Sequence, residues 1–321
     1  MIALDLLTGF LGAGKTTFLR RYVQYFVKCG VKVCVLENDY GAINTDMLLL
    51  QDLRSELCEL EMVVGGDGYE AHRRRLRTKL ISMAMMGYQR VIMEPSGIFD
   101  PDELTDLLCE EPLDQWYRLE NVIAIADAAK DTAASEEDAY LTVCQIADAG
   151  ALVLSKTQFV SAETSAGKVE ELNRLLEQYG CRRRFGKEEV FSGDWNSLTD
   201  ADMEKLASCG HGNYEHVHLQ SARENGYASL FYFRLRMDRD EVEHAAERCM
   251  RDPACGSIVR IKGAFRTGPE DEPQWFLINA TRDRCEITPS HEGQEVLIVI
   301  GSGLDKEAVD RYWICEGLSF S

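Results

Sequence analysis

Apolar residues over positions 2–7 are followed by a glycine-rich stretch and then by Phe18, Leu19, Tyr22, Val23 and Phe26, spaced to share one helical face. This pattern predicts a strand, a loop and a helix over 15–29. Further apolar runs at 31–36, 90–93, 122–125 and 151–154 alternate with helical segments. That alternation is the mark of crossover units wound around a mostly parallel sheet, and it predicts an α/β domain over residues 1–207. Over 208–220 the periodicity lapses in Cys209-Gly210-His211-Gly212-Asn213, which reads as a linker. A different rhythm follows over 221–321: strands at 229–236, 258–264, 274–279, 284–288 and 296–300, a helix over 238–250 begun by an Asp cap, and a last helix over 305–315. The second domain is expected to be a small α+β unit.

A chain of 321 residues with 45% hydrophobic content is long enough for two such cores. Its formal net charge of -19 argues against nucleic acid as a partner, because affinity for a phosphate backbone rests on an excess of Lys and Arg. Asp5 interrupts the first apolar run, no basic segment precedes it, and no apolar run is long enough to span a bilayer. The 11 cysteines form no C-x-x-C pair and read as reduced, mostly buried thiols. The expected location is cytoplasmic, with no membrane partner.

Gly9-Phe10-Leu11-Gly12-Ala13-Gly14-Lys15-Thr16 satisfies G-x-x-x-x-G-K-[ST] and lies between a predicted strand and helix, the context that a P-loop requires. In such a loop Gly9, Gly12, Ala13 and Gly14 turn backbone amides toward phosphate oxygens, and the helix N-terminus adds positive potential through Lys15, Thr16 and Thr17. Lys15 reaches the β and γ phosphates, and the Thr16 hydroxyl ligates Mg2+. Glu94 follows the strand Val91-Ile92-Met93 and stands where an acid holds magnesium and its waters; Pro95-Ser96-Gly97 then forms a turn near the γ phosphate. A purine nucleoside triphosphate is the expected ligand and a P-loop NTPase the expected fold.

These residues resemble the CobW-type GTPases, relatives of the metallochaperones UreG and HypB. Besides the P-loop, Glu37-Asn38-Asp39-Tyr40-Gly41 with Asp46 resembles the family's N-E-F-G segment and the Asp after it. Glu94-Pro95-Ser96-Gly97 with Asp100-Pro101 resembles E-x-[ST]-G-x-x-D-P, and Ala126-Asp127-Ala128 resembles its V-D-A strand end. Arg260-Ile261-Lys262-Gly263 and Ile300-Gly301 are similar to segments of the family's C-terminal domain. The resemblance implies a GTPase that hydrolyses its nucleotide with Lys15 and one of Glu37, Asp39 and Glu94 in catalytic roles. It also implies delivery of a metal or metal-containing cofactor to a client metalloprotein or cofactor-dependent enzyme. Two segments depart from the family. Gly65-Gly66-Asp67-Gly68-Tyr69 stands where the family carries a metal-binding C-x-C-C, so all three thiolates are missing and Asp67 with nearby His72 is no equivalent soft-metal site. Ser155-Lys156-Thr157-Gln158 stands where it carries N-K-x-D or T-K-x-D. A carboxylate accepts both guanine N1-H and N2-H, whereas the Gln158 amide offers one acceptor oxygen, so weakened guanine selectivity is expected.

His211, His216 and His218 cluster in the expected linker, and imidazole suits Zn, Co or Ni; the alternative is three solvated histidines. Residues 69–87 are expected to form a helix with Leu76, Leu80, Met83 and Ala84 inward. Arg73, Arg74, Arg75, Arg77 and Lys79 surround it, either as a solvated face or as a docking surface for an acidic client or anionic cofactor. Met83, Met85 and Met86 are expected in the core. A nucleotide-sensing binding protein with little turnover and a small-molecule kinase are the alternatives to the GTPase.

Overall fold

The computed structural model describes residues 1–39, 50–64, 69–130, 136–214, 228–269, 273–282, 284–290 and 295–313. These divide into two compact units, one from the residues up to 214 and one from residue 228 onward.

In the first unit, β1 (Ile2–Thr8) leads through the glycine-rich loop into α1 (Lys15–Lys28), and β2 (Val33–Asp39), β3 (Cys58–Val64) and α2 (Tyr69–Ala84) follow. After β4 (Arg90–Pro95) come α3 (Pro101–Leu108), α4 (Leu113–Trp116), β5 (Tyr117–Asp127), α5 (Glu136–Ala147), β6 (Ala151–Ser155), α6 (Ala162–Gln178), β7 (Val190–Phe191) and α7 (Asp200–Leu206). The strands form one seven-stranded sheet in the order β3-β2-β4-β1-β5-β6-β7, with every pair parallel. Burial on both faces explains why strands such as β6 and the second half of β5 read as unbroken apolar runs. The β1 strand lies centrally, between β4 and β5, so the loop after it opens beside the ends of both neighbours.

Asp5 on β1 does not weaken this strand, because it is the hub of a buried polar network. It accepts from Tyr22 Oη at 2.9 Å, from Asn121 Nδ2 at 2.8 Å and from Arg90 Nη1 at 2.6 Å to each carboxylate oxygen. Burial pushes its carboxyl above the ordinary value, opposed chiefly by the Arg90 charge. The network joins β1 to α1, β4 and β5. Residues 209–214 run along the same unit: Val122 N–H donates to the Gly210 carbonyl at 3.0 Å, and Gly212 N–H donates to that of Asp148 at 2.8 Å.

The helix over Tyr69–Ala84 buries Leu76, Leu80 and Met83 as expected from its spacing, but Met85 and Met86 lie beyond its end and are 83% and 43% exposed. They are not core residues, because the chain turns back toward β4 there. Part of the basic run is neutralised within the unit. Arg73 and Arg77 both engage Glu110, at 2.6 and 3.2 Å, and Lys79 meets Glu61 at 2.9 Å.

The second unit is an antiparallel sheet in the order β11-β10-β9-β12-β8, built from β8 (Ala228–Phe233), β9 (Ser257–Thr267), β10 (Gln274–Thr281), β11 (Arg284–Ser290) and β12 (Val296–Ser302). The α8 helix (Arg239–Arg251) starts at the Asp238 cap, whose carboxylate accepts from Glu241 N–H at 2.8 Å, and Glu241 returns a bond to the Asp238 N–H. Its apolar face, with Val242, Ala246 and Cys249, joins Phe265, Leu297 and Trp313 in one core. Strand β8 stops at Phe233, short of the expected residue 236, because Arg234 adopts φ 54° and breaks the extended run. The last helix, α9 (Lys306–Asp310), is shorter than the expected 305–315: a turn follows at Arg311 and Tyr312, and Trp313 docks into the core. Ten cysteines are free thiols among the described residues, six of them buried. No helix there is long and apolar enough to cross a membrane.

Candidate functional site

The loop between β1 and α1 is shaped by close backbone approach. Gly9 has φ 139°, and a Cβ there would sit 2.2 Å from the Ile125 carbonyl oxygen of β5. Only glycine lets the chain leave the central strand at this point. Gly12 and Gly14 also take positive φ, at 76° and 96°, and Ala13 N–H closes a turn onto the Phe10 carbonyl at 3.1 Å. Lys15 begins α1 and is 6% exposed; its Nζ donates to the Gly9 carbonyl at 2.8 Å. The ammonium is therefore drawn back over the loop whose amides it accompanies.

Thr16, one residue further, donates its hydroxyl to Glu94 Oε1 at 2.7 Å across 78 residues of sequence. Parallel register sets Glu37 of β2 directly beside Glu94 of β4, so the two carboxylates share one face of the sheet; they are 3% and 4% exposed. Asp39 is the final residue of β2. Gly97 follows in the turn after β4, where Ser96 N–H donates to the Asn38 carbonyl at 2.7 Å and a Cβ on Gly97 would lie 2.5 Å from the Leu11 nitrogen. One end of the site thus gathers Lys15, Thr16, Glu37, Glu94 and Gly97 around the loop, while Thr17 is exposed on α1.

The other end is built where β6 stops. Ser155 is buried and donates to the Ala126 carbonyl at 3.3 Å. Lys156 takes φ 57°, and its Nζ meets Asp127 Oδ2 at 2.6 Å. Asp127 also accepts from Ala129 N–H at 2.9 Å, so it is fixed before it fixes Lys156. Thr157 donates to the Gly193 carbonyl at 2.9 Å, and Gln158 stands exposed in the 3-10 turn Thr157–Phe159. Trp195, which no motif singles out, ties this end to the phosphate loop. Its Nε1 donates to the Leu154 carbonyl at 3.0 Å, its ring meets Phe18 edge-on at 5.6 Å, and a Cβ on Gly14 would lie 3.2 Å from its ring edge. The signals available for it were only an aromatic residue and a glycine far apart in sequence.

His211 is exposed, and its Nδ1 lies 2.9 Å from the Gly212 carbonyl. His216, His218, Asp67, Gly41 and Asp46 lie outside the described residues. His72 is buried with Nδ1 3.8 Å from Glu103 Oε1, a contact between α2 and α3. Among the described residues no group of three or more His, Cys, Asp or Glu is arranged to hold a metal ion.

Two family models match the chain: the CobW/HypB/UreG nucleotide-binding domain over residues 4–180, and the cobalamin synthesis protein CobW C-terminal domain over residues 229–313. The zinc chaperone YjiA of Escherichia coli (strain K12) is 30% identical over 190 residues, which is 56% of this chain and 55% of that relative. The chain thus spans little more than half the length of YjiA in that match. The zinc-regulated GTPase metalloprotein activator 1 of Schizosaccharomyces pombe (strain 972 / ATCC 24843) is 22% identical over 334 aligned positions, covering 91% of this chain and 78% of its own. The crystal structure of the Zn(II)-bound YjiA GTPase from E. coli aligns with 97% of both chains at 21% identity and a TM-score of 0.39.

Proposed function

The chain belongs to the CobW/HypB/UreG family, and from that premise we propose that it binds GTP with magnesium at the P-loop, hydrolyses it, and couples the cycle to delivery of a metal ion or metallocofactor to a client protein. The observation that carries the nucleotide part is the Thr16–Glu94 contact of 2.7 Å beside Lys15. A hydroxyl and a carboxylate held together at the start of a P-loop helix are hard oxygen donors, which fit magnesium better than a soft metal. When bound, magnesium neutralises charge on the β and γ phosphates.

The chain's own residues supply the rest. Backbone amides from Gly12 to Thr16 cradle phosphate oxygens, and Lys15 leaves the Gly9 carbonyl to meet the β and γ phosphates. One of Glu37, Asp39 and Glu94 orients the attacking water. Gly97 borders the γ position. At the base end, the aliphatic stem of Lys156 packs over the purine, held in place by Asp127.

The cargo reading rests on the relatives, whose names attach zinc to them. Zinc is accordingly the metal class favoured here, and stoichiometric zinc should depend on His211, His216 and His218 and not on residues 65–69, which offer no thiolate. A triple histidine variant that keeps its full zinc content would refute that location. The nucleotide reading is tested by phosphate release from GTP with magnesium: the expected result is turnover by the wild type that Lys15→Ala abolishes. A folded wild type that releases no phosphate, or a variant that matches it, would overturn the GTPase assignment.

A further inference from the structure

Gln145 lies on α5 and is 2% exposed. Its Nε2 donates to the Gly97 carbonyl at 2.8 Å across 48 residues of sequence. The turn that follows Glu94 is held from two other directions, by the Ser96 N–H bond to the Asn38 carbonyl of β2 and by close approach of Gly97 to the Leu11 backbone. The first joins main chain to main chain, and the second is a packing contact with the Leu11 backbone and Cγ. The Gln145 contact is the one hydrogen bond of the three that a side chain supplies.

Glycine places little restriction on its own φ and ψ. The bond to its carbonyl therefore fixes the peptide plane after Gly97, which the residue itself leaves free to turn. The bland alternative is a buried side chain that merely fills space between α5 and the sheet. Against it stands the Gln145 Oε1 atom, which is buried and has no hydrogen-bond partner among the described residues. Burying an amide with half its capacity unused is costly, and an unbranched apolar side chain of the same length would fill the space without that cost. What the amide contributes is its bond to Gly97.

We infer that Gln145 is a positioning residue for triphosphate recognition: it holds the Gly97 peptide in the orientation by which the turn after Glu94 distinguishes a nucleoside triphosphate from a diphosphate. The inference rests on the P-loop reading above. A turn that borders only the γ phosphate interacts differently with the two nucleotides, and only such a differential contact separates their affinities. Loss of the anchor should act on the triphosphate and leave the diphosphate, held by the loop and Lys15, unaffected.

The test is calorimetric titration of the full chain with a non-hydrolysable GTP analogue and with GDP, both with magnesium, for wild type, Gln145→Met, Gln145→Glu and Lys15→Ala. Gln145→Met keeps the length and removes the donor; analogue affinity should fall about tenfold while GDP affinity stays within about twofold. In Gln145→Glu the carboxylate cannot donate, so discrimination should be lost at high pH. It should recover as pH falls, because burial raises the pKa of the new carboxyl and its neutral form donates to the Gly97 carbonyl. Equal losses for both nucleotides in Gln145→Met would mark a general packing role and overturn the inference. So would wild-type discrimination in Gln145→Glu at high pH, a result that remains decisive if Gln145→Met does not fold. Wild-type binding that Lys15→Ala removes upholds the P-loop reading whatever the Gln145 variants do, whereas a wild type that binds neither nucleotide refutes both.

Discussion

At the proposed phosphate end of the first unit, Lys15 meets the Gly9 carbonyl at 2.8 Å and Thr16 meets Glu94 at 2.7 Å, and each of these contacts is at least partly buried. At the base end, Gln158 is exposed in a short 3-10 turn, and the order there comes from neighbours: Asp127 on Lys156, Gly193 on Thr157, Trp195 on the Leu154 carbonyl. On the function proposed above, the difference follows from what each end would recognise. Phosphate is bound largely by main-chain amides and one cation, so its site is written into glycine spacing and strand geometry. A base is read by single side-chain atoms on a loop, so one substitution changes the reading while the framework stays.

The largest expected effect lies at the phosphate end. Lys15→Ala and Thr16→Ala should each remove magnesium-dependent triphosphate affinity, since each takes away a contact to a charged group worth about 1.5–3 kcal/mol directly, as well as the arrangement around it. The fold should survive, because the apolar core of α1, which is Phe18, Leu19, Tyr22, Val23 and Phe26, is left intact and the hydrogen bonds lost are those to the Gly9 carbonyl and to Glu94. Calorimetry that finds unchanged triphosphate binding in both variants would break the comparison at its firmer end.

This asymmetry also governed what could be read from sequence. The β1–loop–α1 unit was legible because apolar strand, glycine spacing and helical periodicity all agree, and Glu94 was legible because it ends an apolar run. Strand β3 (Cys58–Val64) was not: Glu59 and Glu61 interrupt its apolar pattern, and only in the fold does Tyr88 donate to Glu59 at 2.6 Å and Lys79 to Glu61 at 2.9 Å, where they can be half-buried at a sheet edge. Trp195 and Gln145 were illegible for a different reason. Each acts through a carbonyl, Leu154 in one case and Gly97 in the other, and a backbone acceptor leaves no trace in residue identity. Helix ends show the converse: Tyr312 and Trp313 pack on the second core from a turn and not from a helix, and Met85 and Met86, expected in the core, are exposed beyond the helix Tyr69–Ala84.

A smaller effect is expected at Gln158. If this side chain faces the base, its single acceptor oxygen leaves one guanine N-H without a partner, and a buried donor left unpaired costs roughly 1–3 kcal/mol. Gln158→Asp should then sharpen discrimination of GTP over ATP and ITP by about tenfold or more. Competition titration of wild type and variant with the three nucleotides decides it. Strong guanine preference in the wild type that the substitution leaves unchanged would show that another residue reads the base, and the contrast between the two ends would have to be redrawn.

The smallest expected effect probes how the two ends are joined. Trp195 reaches the carbonyl of the last residue before Ser155 and also rests against Gly14 and Phe18, so it sets the spacing between base loop and phosphate loop. Trp195→Phe retains an aromatic ring against Phe18 and removes the indole N–H. The lost bond is worth about 1 kcal/mol at most sites, of which only the part that orders residues 155–158 can appear in binding, so GTP affinity should fall by roughly threefold. Inorganic triphosphate, which has no base, should bind wild type and variant alike. Equal losses for GTP and for inorganic triphosphate would mean that Trp195 supports the phosphate loop itself through Gly14. The two ends would then be one mechanical unit, and the independence argued from their different chemistry would fail.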